Sequence, residues 1–371
     1  MIYFDNAATS WPKPAAVGRE VLRCLRTYGG NPGRSGHRLS LRAAEKIYET
    51  RERLCSLLHA DHPERIVFTL NATYALNLAI KIHAHPGMHV LCSDMEHNSV
   101  YRPLARLARE NMIALEIFRT DGNVLEHLRR VVTPNTGMLV CTHISNVCGR
   151  RLPVAEIGEF CRKRGILFIL DASQSIGHIP IDFEKIGCDV LCAPGHKGLF
   201  GMQGAGFALF RHEKKLPQFL EGGGGQSLSP LMPDTYPERY EAGTLPTPAI
   251  ASLCSGTEFV LHHTPEAIEE QESRLCAALC ERLRALPGVT VYAPDDMRGS
   301  VLSFTARGHS SAELESALDR AGICVRGGYH CAPLAHRALG TIDDGTVRVS
   351  LSPFNTAAQL DGFYAALSSV L

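Results

Sequence analysis

A lysine stands between glycines at the end of an apolar run, in the stretch "DVLCAPGHKGLFGMQGAGFALF" (residues 189–210). Lysine is ordinarily a solvated surface residue, and glycine ordinarily marks a turn in which the backbone approaches a neighbouring group. Because the run before it reads as a buried strand, we expect Lys197 to lie on a loop that directs its amine into a site. The flanking glycines are expected to let this loop fold against the bound molecule.

Polar side chains follow four other predicted strands as well. Ligands of open parallel sheets bind at the carboxyl ends of the strands, so we expect these five strand ends to be neighbours that form one site. Taken alone, each residue has an ordinary structural explanation, such as a helix cap or a hydrogen-bonded loop histidine. The residues are Asn71, Ala72 and Thr73 after "RIVFT", His97 after "HVLCS", Asn146 after "GMLVCTHIS", and Asp171 and Gln174 after "GILFIL".

Together these groups match the requirements of pyridoxal 5'-phosphate. That cofactor needs a lysine for a Schiff base, a carboxylate for its ring nitrogen, an aromatic ring to stack on it and a helix N-terminus for its phosphate. Lys197 is the expected Schiff-base lysine. The other predicted cofactor-binding residues are Asp171 at the ring nitrogen, Gln174 at the phenolic oxygen, His97 on the ring face, Ala72, Thr73 and His196 at the phosphate, and Asn146.

The elements that position these residues form an α/β pattern. From about residue 31 to residue 209, short apolar runs alternate with helical patterns, which predicts βαβ units and a mainly parallel sheet. After a segment rich in Gly and Pro (221–248), one long helix is predicted from about 249 to 286. The strands "VTVYAP", "GSVLSFTA", "CVRGG" and "TVRVSLSP" and a helix from Ser310 then predict a smaller α+β domain. We therefore expect a large domain at 15–257 and a small domain at 258–371, with residues 1–14 packed on the small one.

Composition excludes several classes of function. The 371 residues carry 38 basic and 38 acidic side chains, so no overall positive field is available to bind nucleic acid. No apolar stretch approaches the roughly 20 residues of a membrane helix, and the N-terminus does not resemble a secretory signal, so a cytoplasmic location is expected. The 13 cysteines are scattered and include no C-x-x-C pair, which predicts buried thiols rather than a metal site.

Two residues of the C-terminal region have the chemistry to act on a substrate. Cys331 lies in the polar loop "RGGYHCAPLAH", close in sequence to Arg326 and His330, where a thiol is either reactive or simply half-buried. Arg348 is flanked by valines in a predicted strand, so its charge requires an anionic partner. A structural carboxylate and the α-carboxylate of a substrate are both possible partners.

The chain resembles the class V aminotransferase family, and within it the cysteine desulfurases and selenocysteine lyases. Each matching motif is weak by itself, but their order along the whole chain is highly specific. The motifs are "YFDNAATS", "NPGRSGHRLS", "EHNS", "SNVCG", "DASQSIGH", "GHKG", "YEAGTLPTP", "RGGYHCAPL" and "VRVSLSPFNT".

The resemblance implies a homodimeric enzyme of fold type I, with two active sites at the subunit interface. It implies that Thr244 reaches the phosphate of the partner's cofactor and that Arg348 holds the substrate carboxylate, with Arg326 as the next candidate. Asn31, Arg34 and His37 match a motif near the substrate entrance, although loop structure explains them equally well. Ala72 and Pro194 stand where desulfurases often have hydroxyl residues, which removes about two contacts to the phosphate.

The resemblance also implies a reaction, in which L-cysteine becomes L-alanine and its sulfur passes through a persulfide on Cys331 to a thiol or protein acceptor. Such sulfur serves pathways that include iron–sulfur cluster assembly. Selenocysteine lyase, β-lyase and aminotransferase activities on the same scaffold are the alternatives within this class. A binding protein without cofactor is the alternative from another class, and the complete set Asp171, Lys197, Cys331 and Arg348 argues against it.

Overall fold

The computed structural model describes residues 1–33, 36–224, 228–294 and 299–371. Strands and helices alternate along the first two thirds of the chain, as the sequence predicts. The strands there are β1 (Ile2–Tyr3), β2 (Ile66–Thr69), β3 (Met88–Ser93), β4 (Ile113–Phe118), β5 (Thr136–Thr142), β6 (Leu167–Asp171), β7 (Val190–Pro194) and β8 (Gly206–Phe210). The helices are α1 (Ala15–Thr27), α2 (Arg38–Leu58), α3 (Ala72–His83), α4 (Asn98–Arg109), α5 (Val124–Val131), α6 (Val154–Arg162), α7 (Phe183–Ile186) and α8 (Thr247–His263).

A seven-stranded sheet forms the centre of the molecule, in the order β2-β8-β7-β6-β5-β3-β4. Only β8 runs antiparallel to its neighbours, which confirms the prediction of an α/β fold with a mainly parallel sheet. The expectation that five neighbouring strand ends carry the site is wrong in one respect, because β8 lies between β2 and β7. Gly206 allows β8 to pass there, since a Cβ at this position would lie 2.6 Å from the carbonyl carbon of Asn71.

Alternating residues of the central strands enter two different apolar cores. Such alternation buries both faces of the sheet, as helices on either side of a parallel sheet require. Leu139, Phe168, Leu170 and Leu191 belong to one core, and Met138, Val140, Ile169 and Val190 belong to the other. The sheet is therefore held from both sides, and its carboxyl edge is a firm support for a site.

The rest of the chain forms a second, smaller sheet with its own core. Its elements are α9 (Pro265–Arg284), β9 (Val289–Tyr292), β10 (Val301–Ala306), α10 (Ser311–Arg320), β11 (Ile323–Cys324), α11 (Pro333–Leu339), β12 (Val347–Ser350) and α12 (Ala357–Val370). β9, β10 and β12 form an antiparallel sheet, while β1 pairs in parallel with β11. Phe4, directly after β1, is buried in this core. Within the ranges that the structure describes, no helix is long and apolar enough to cross a membrane.

The single helix predicted from about 249 to 286 is instead two helices. α8 ends at His263 and α9 begins at Pro265, with Thr264 between them at φ 61° and ψ 139°. Proline has no N–H to donate and its ring clashes with the preceding turn of a helix, so it is favoured at the first position of a new helix. The Thr264 side chain accepts a hydrogen bond from the amide of Ala267 and caps α9.

Candidate active site

A cavity of about 220 Å³ lies at the carboxyl edge of the central sheet. It brings together most of the residues that the sequence predicts for the site. These are Ala72, Thr73, His97, Asn146, Asp171, Gln174, His196, Lys197, Arg326 and Arg348. A larger and more open cleft of about 900 Å³, next to Arg150 and Lys185, contains none of them.

Lys197 lies on a tight turn directly after β7. The amide of Phe200 donates to the carbonyl of Lys197 at 2.9 Å, and the amide of Gly201 donates to that of Gly195 at 2.8 Å. A Cβ on Gly195 would lie 3.0 Å from the carbonyl oxygen of Ala205. The flanking glycines therefore let this turn pack closely against protein backbone.

Lys197 and the buried carboxylate of Asp171 both line the cavity. Burial lowers the pKa of Lys197 to about 8; Asp171 opposes this shift, and the positive charge of Arg348 adds to it. Burial also raises the pKa of Asp171, while its hydrogen bond with Ser173 and the charge of Lys197 act in the opposite direction. Oδ1 of Asp171 accepts from the amide of Ser173 at 2.9 Å.

His97 caps α4 and stands on the wall of the cavity. Its Nδ1 accepts from the amide of Ser99 at 3.0 Å, so a neutral ring carries its proton on Nε2. Burial and the neighbouring charge of Lys197 lower the pKa of His97 to about 4, so the ring is neutral at neutral pH. The hydroxyl of Ser99 lies 2.7 Å from that of Thr73 and links α4 to the start of α3. Thr73 does not cap α3, because Asn71 does so through the amide of Tyr74.

Three further predicted residues are fixed by hydrogen bonds to neighbouring backbone or side chains. Gln174 Nε2 donates to the carbonyl of Ala7 at 3.0 Å. Asn146 Nδ2 donates to the carbonyl of His330 at 2.7 Å. His196 Nδ1 lies 3.1 Å from the hydroxyl of Thr9, and burial, followed by the charge of Lys197, lowers the pKa of His196 to about 4.

Arg348 has a structural partner and also faces the cavity. Nη2 lies 2.7 Å from Oδ1 of Asp5, and Nη1 donates to the carbonyl of Asn146 at 3.1 Å. Its buried Nε has no partner among the described residues. Burial lowers the pKa of Arg348, whereas Asp5 acts in the opposite direction. The sequence left open whether Arg348 binds a structural carboxylate or the α-carboxylate of a substrate. The structure provides a structural carboxylate, that of Asp5, and the guanidinium still borders the cavity.

Cys331 is the exposed cysteine of the chain, while the other thiols are buried or, for Cys324, half-buried. Cys331 therefore differs from the packed thiols in its exposure to solvent. Cys331 is not part of the cavity wall. Arg326 is part of that wall, and its Nη2 lies 3.9 Å from the sulfur of Cys331. His330 and Cys331 both adopt left-handed backbone conformations, with φ 48° and 58°. The amide of Asn98 donates to the carbonyl of Cys331 at 2.7 Å and holds this loop beside His97.

Asn31 and Thr244 lie apart from the cavity of their own chain. Both are exposed, and Asn31 Nδ2 donates to the hydroxyl of Thr244 at 3.4 Å. His37 caps α2, with its Nδ1 accepting from the amide of Ser40 at 3.3 Å. Arg34 lies outside the described residues.

Sequence reasoning assigned no role to several residues that support this site. Ser99 lines the cavity and Asp5 holds Arg348, and both belong to motifs on which the resemblance rests. Glu96 is completely buried, with one oxygen bonded by the amide of Thr142 at 2.9 Å and the other without a described partner. Burial raises the pKa of Glu96 to about 8. Glu96 also belongs to one of the motifs of the resemblance, directly before His97.

Comparison with known proteins gives matches over almost the whole chain. The sequence model of the family described as "Aminotransferase class-V" matches residues 2–363. A probable cysteine desulfurase of Methanothermobacter thermautotrophicus is 32% identical over 97% of this chain and 92% of its own length. A probable cysteine desulfurase of Xylella fastidiosa is 33% identical over 100% of this chain and 91% of its own.

Solved structures agree with the sequence matches. The apo cysteine desulfurase of Thermococcus onnurineus NA1 superposes with a TM-score of 0.92 at 31% identity, covering 100% of this chain and 94% of that one. The cysteine desulfurase CsdA of Escherichia coli superposes with a TM-score of 0.89 at 25% identity, covering 99% and 94%.

Proposed function

The chain belongs to the class V aminotransferase family, and we propose that it is a cysteine desulfurase that uses pyridoxal 5'-phosphate. One observation carries the proposal. Lys197, Asp171 and Arg326 line a single cavity, and Nη2 of Arg326 lies 3.9 Å from the sulfur of the exposed Cys331. The full-length similarity to proteins named cysteine desulfurases supports cysteine as the substrate rather than selenocysteine or an amino-group acceptor.

The residues of the cavity fit this cofactor by their chemistry. Lys197 lines the cavity, and burial lowers its pKa to about 8. The first turn of α3 presents backbone amides at the cavity, next to the hydroxyl of Thr73 and the ring of His196. The cavity wall carries the basic groups of Lys197, Arg326 and Arg348 and the carboxylate of Asp171, and Asp5 pairs with Arg348. The remaining positive charge suits an anionic ligand.

When bound, pyridoxal 5'-phosphate supplies an electron sink that stabilises negative charge at the α-carbon of the substrate. Lys197 would hold the cofactor covalently, and its amine, with a pKa lowered to about 8, would move the proton of the substrate's α-carbon. Asp171 would hold the proton of the ring nitrogen, and the neutral His97 would lie against the ring. The guanidinium of Arg348 holds the carboxylate of cysteine and so orients its α-carbon towards Lys197.

Cleavage of the carbon–sulfur bond is assigned to Cys331. Its thiolate attacks the sulfur of cysteine, a sulfur–sulfur bond forms, and the bond between that sulfur and the β-carbon breaks. The electron pair of the broken bond is protonated, so L-cysteine and the Cys331 thiol become L-alanine and the Cys331 persulfide. Arg326 places a positive charge beside the sulfur throughout this step. Because Cys331 is exposed, a thiol or protein acceptor can then take up the outer sulfur.

We further propose that two copies of the chain form the working enzyme. Thr244 and Asn31 are exposed and lie away from their own cavity, which is the arrangement expected if they complete the cavity of a partner copy. We also propose a cytoplasmic location, because buried free cysteines such as Cys92, Cys141 and Cys192 fit a reducing compartment.

Reduction of the loaded enzyme with borohydride, followed by peptide mapping, tests the assignment of Lys197. The proposal expects a yellow protein that releases alanine from L-cysteine and carries the reduced cofactor on Lys197. Lys197→Ala is expected to lose the covalent link and the activity. Label on a different lysine, or a colourless protein after incubation with the cofactor, would contradict the proposal.

A further inference from the structure

A buried hydrogen-bonded pair lies directly behind the turn that carries Lys197. His178 belongs to the segment that follows β6, and its Nδ1 lies 3.1 and 3.0 Å from the two carboxylate oxygens of Glu272 on α9. The side chain of His178 is 4% exposed and that of Glu272 is fully buried. The pair is therefore shielded from solvent, and neither member touches the cavity that the proposed cofactor would occupy.

The imidazole of His178 also packs against the residue that follows Lys197. A Cβ on Gly198 would lie 2.6 Å from Cδ2 and 2.8 Å from Nε2 of His178. It would also lie 2.2 Å from the carbonyl oxygen of Ile176, and a Cβ on Gly177 would lie 2.2 Å from that of Gly198. The two turns are thus in direct backbone contact, and the turn of Lys197 has no space to shift towards His178.

A polar pair at this place is better explained by geometry than by stability. Apolar side chains of similar volume stabilise a protein about as well as a buried charged pair does, or better. A histidine held by a carboxylate, in contrast, has one ring orientation, because Nδ1 must face the oxygens. Here that orientation presents the opposite ring edge to Gly198.

We propose that His178 and Glu272 are positioning residues for Lys197. Glu272 fixes the imidazole, the imidazole fixes Gly198, and Gly198 sets the position of the neighbouring lysine in the cavity. The position of α9 therefore determines the position of the Lys197 amine, which acts on the substrate. The inference rests on the proposed function only in so far as Lys197 is the residue that binds the cofactor.

The test compares Glu272→Gln with the matched control Glu269→Gln. Glu269 lies on the same helix and also contacts the first part of the chain, through Arg151 at 3.1 Å, but it does not touch the Lys197 turn. The first readout is amide hydrogen exchange of residues 195–201 in the protein without cofactor. The second is the pH midpoint of the visible absorbance in the loaded enzyme, and the third is kcat and KM for cysteine.

We expect Glu272→Gln to speed exchange of residues 195–201 by about tenfold or more. We also expect it to shift the absorbance midpoint and to lower kcat, with KM changed by less than about twofold. Glu269→Gln is expected to match the wild type in all three readouts. If Glu272→Gln does not fold, His178→Gln carries the same test, because it leaves α9 intact.

Two results would overturn the inference in distinguishable ways. If Glu272→Gln lowers the melting temperature while hydrogen exchange of residues 195–201, the absorbance midpoint and kcat stay at wild-type values, the pair has a structural role alone. If borohydride mapping in the wild type places the cofactor on another lysine, the proposed function fails, and the assignment of this pair to Lys197 fails with it.

Discussion

At the scale of single residues, burial and neighbouring charges decide which groups of the site are ionised. Burial in the cavity walls removes water and so disfavours the charged form of every group. The positive charges also repel one another and disfavour protonation of the imidazoles. His97 and His196 have pKa values lowered to about 4, so their rings are neutral at neutral pH. Lys197 has a pKa lowered to about 8, which keeps a useful fraction of its amine unprotonated and nucleophilic.

Carbamylation of the protein without cofactor by cyanate tests this lowered pKa. Only the neutral amine reacts, so the yield at Lys197 is expected to rise with pH and to level off above about 8. Peptide mapping after short reaction times measures the yield, and the exposed Lys163 serves as the internal comparison. A yield at Lys197 that continues to rise to pH 10 alongside that of Lys163 would contradict the assignment.

Exchange of Arg348 for lysine tests the role of its guanidinium. Arg348→Lys keeps the charge beside Asp5 but loses the planar pair of donors that binds a carboxylate. We expect KM for cysteine to rise by about tenfold or more, which is about 1.4 kcal/mol, with little change in cofactor affinity. Asp5→Asn is the control, because it removes the internal partner and leaves the guanidinium in place. A wild-type KM in Arg348→Lys would show that the arginine is purely structural.

At the scale of elements, close backbone packing holds the Lys197 turn between two neighbours. One neighbour is the turn that contains His178, and the other is α8. A Cβ on Gly256 of α8 would lie 1.9 Å from the carbonyl oxygen of Leu199. The glycines around the lysine were visible in the sequence, whereas their contacts were not, because the residues that approach them are distant along the chain.

Glycine-to-alanine exchanges in two helices test this packing. Gly256→Ala is expected to lower the free energy of unfolding by about 1–3 kcal/mol, since its Cβ collides with backbone. It is also expected to weaken cofactor binding, because the collision displaces the Lys197 turn. Gly18→Ala in α1 is the control; no atom lies within 4 Å of its added Cβ, so we expect a gain of about 0.5–1 kcal/mol. Equal stability of the two variants in urea unfolding would contradict the packing described here.

Much of the architecture at this scale was predictable, since each predicted strand of the central sheet exists. Apolar runs bounded by turns are strong local signals. The position of β8 between β2 and β7 was not predictable, because strand order depends on contacts between distant segments. Pro265 was a clear signal for the break at Thr264, but the prediction gave more weight to the helical pattern on either side of it. Most of the predicted residues meet in one cavity for the same reason, because strand ends of one sheet edge converge.

At the scale of the whole molecule, one chain contains a cavity, and Asn31 and Thr244 are, like Cys331, not part of its wall. Asn31 and Thr244 bond to each other at the surface. Large apolar side chains are also exposed close to Asn31 in sequence, among them Leu39 and Leu41 at 48% and 52%. Exposed apolar groups of this kind are typical of surfaces that bind another chain. In the proposed dimer the neighbours of these residues belong to a second copy, so patterns within one chain do not indicate where they act.

Mixed dimers test whether Thr244 acts in the partner's site. Lys197→Ala and Thr244→Ala are each expected to be impaired, at limiting cofactor, as homodimers. In the mixed dimer, one site receives both substitutions and the other receives neither. Because about half of the randomly remixed dimers are mixed, about a quarter of all sites are expected to be restored. Unfolding and refolding the two variants together, then assaying alanine, measures this. Activity no higher than the mean of the separate variants would place Thr244 in its own chain's site or outside any site.

The central claim is that the site removes sulfur from cysteine by two separate groups, Lys197 for the α-carbon and Cys331 for the sulfur. Alanine release by loaded Cys331→Ser, with Cys324→Ser as the control, tests it most directly. A serine hydroxyl is not ionised near neutral pH and does not accept sulfur. The account predicts that adding cysteine still shifts the absorbance of the bound cofactor in Cys331→Ser while alanine formation falls to background, and that Cys324→Ser behaves as the wild type. Wild-type alanine release from Cys331→Ser would contradict it.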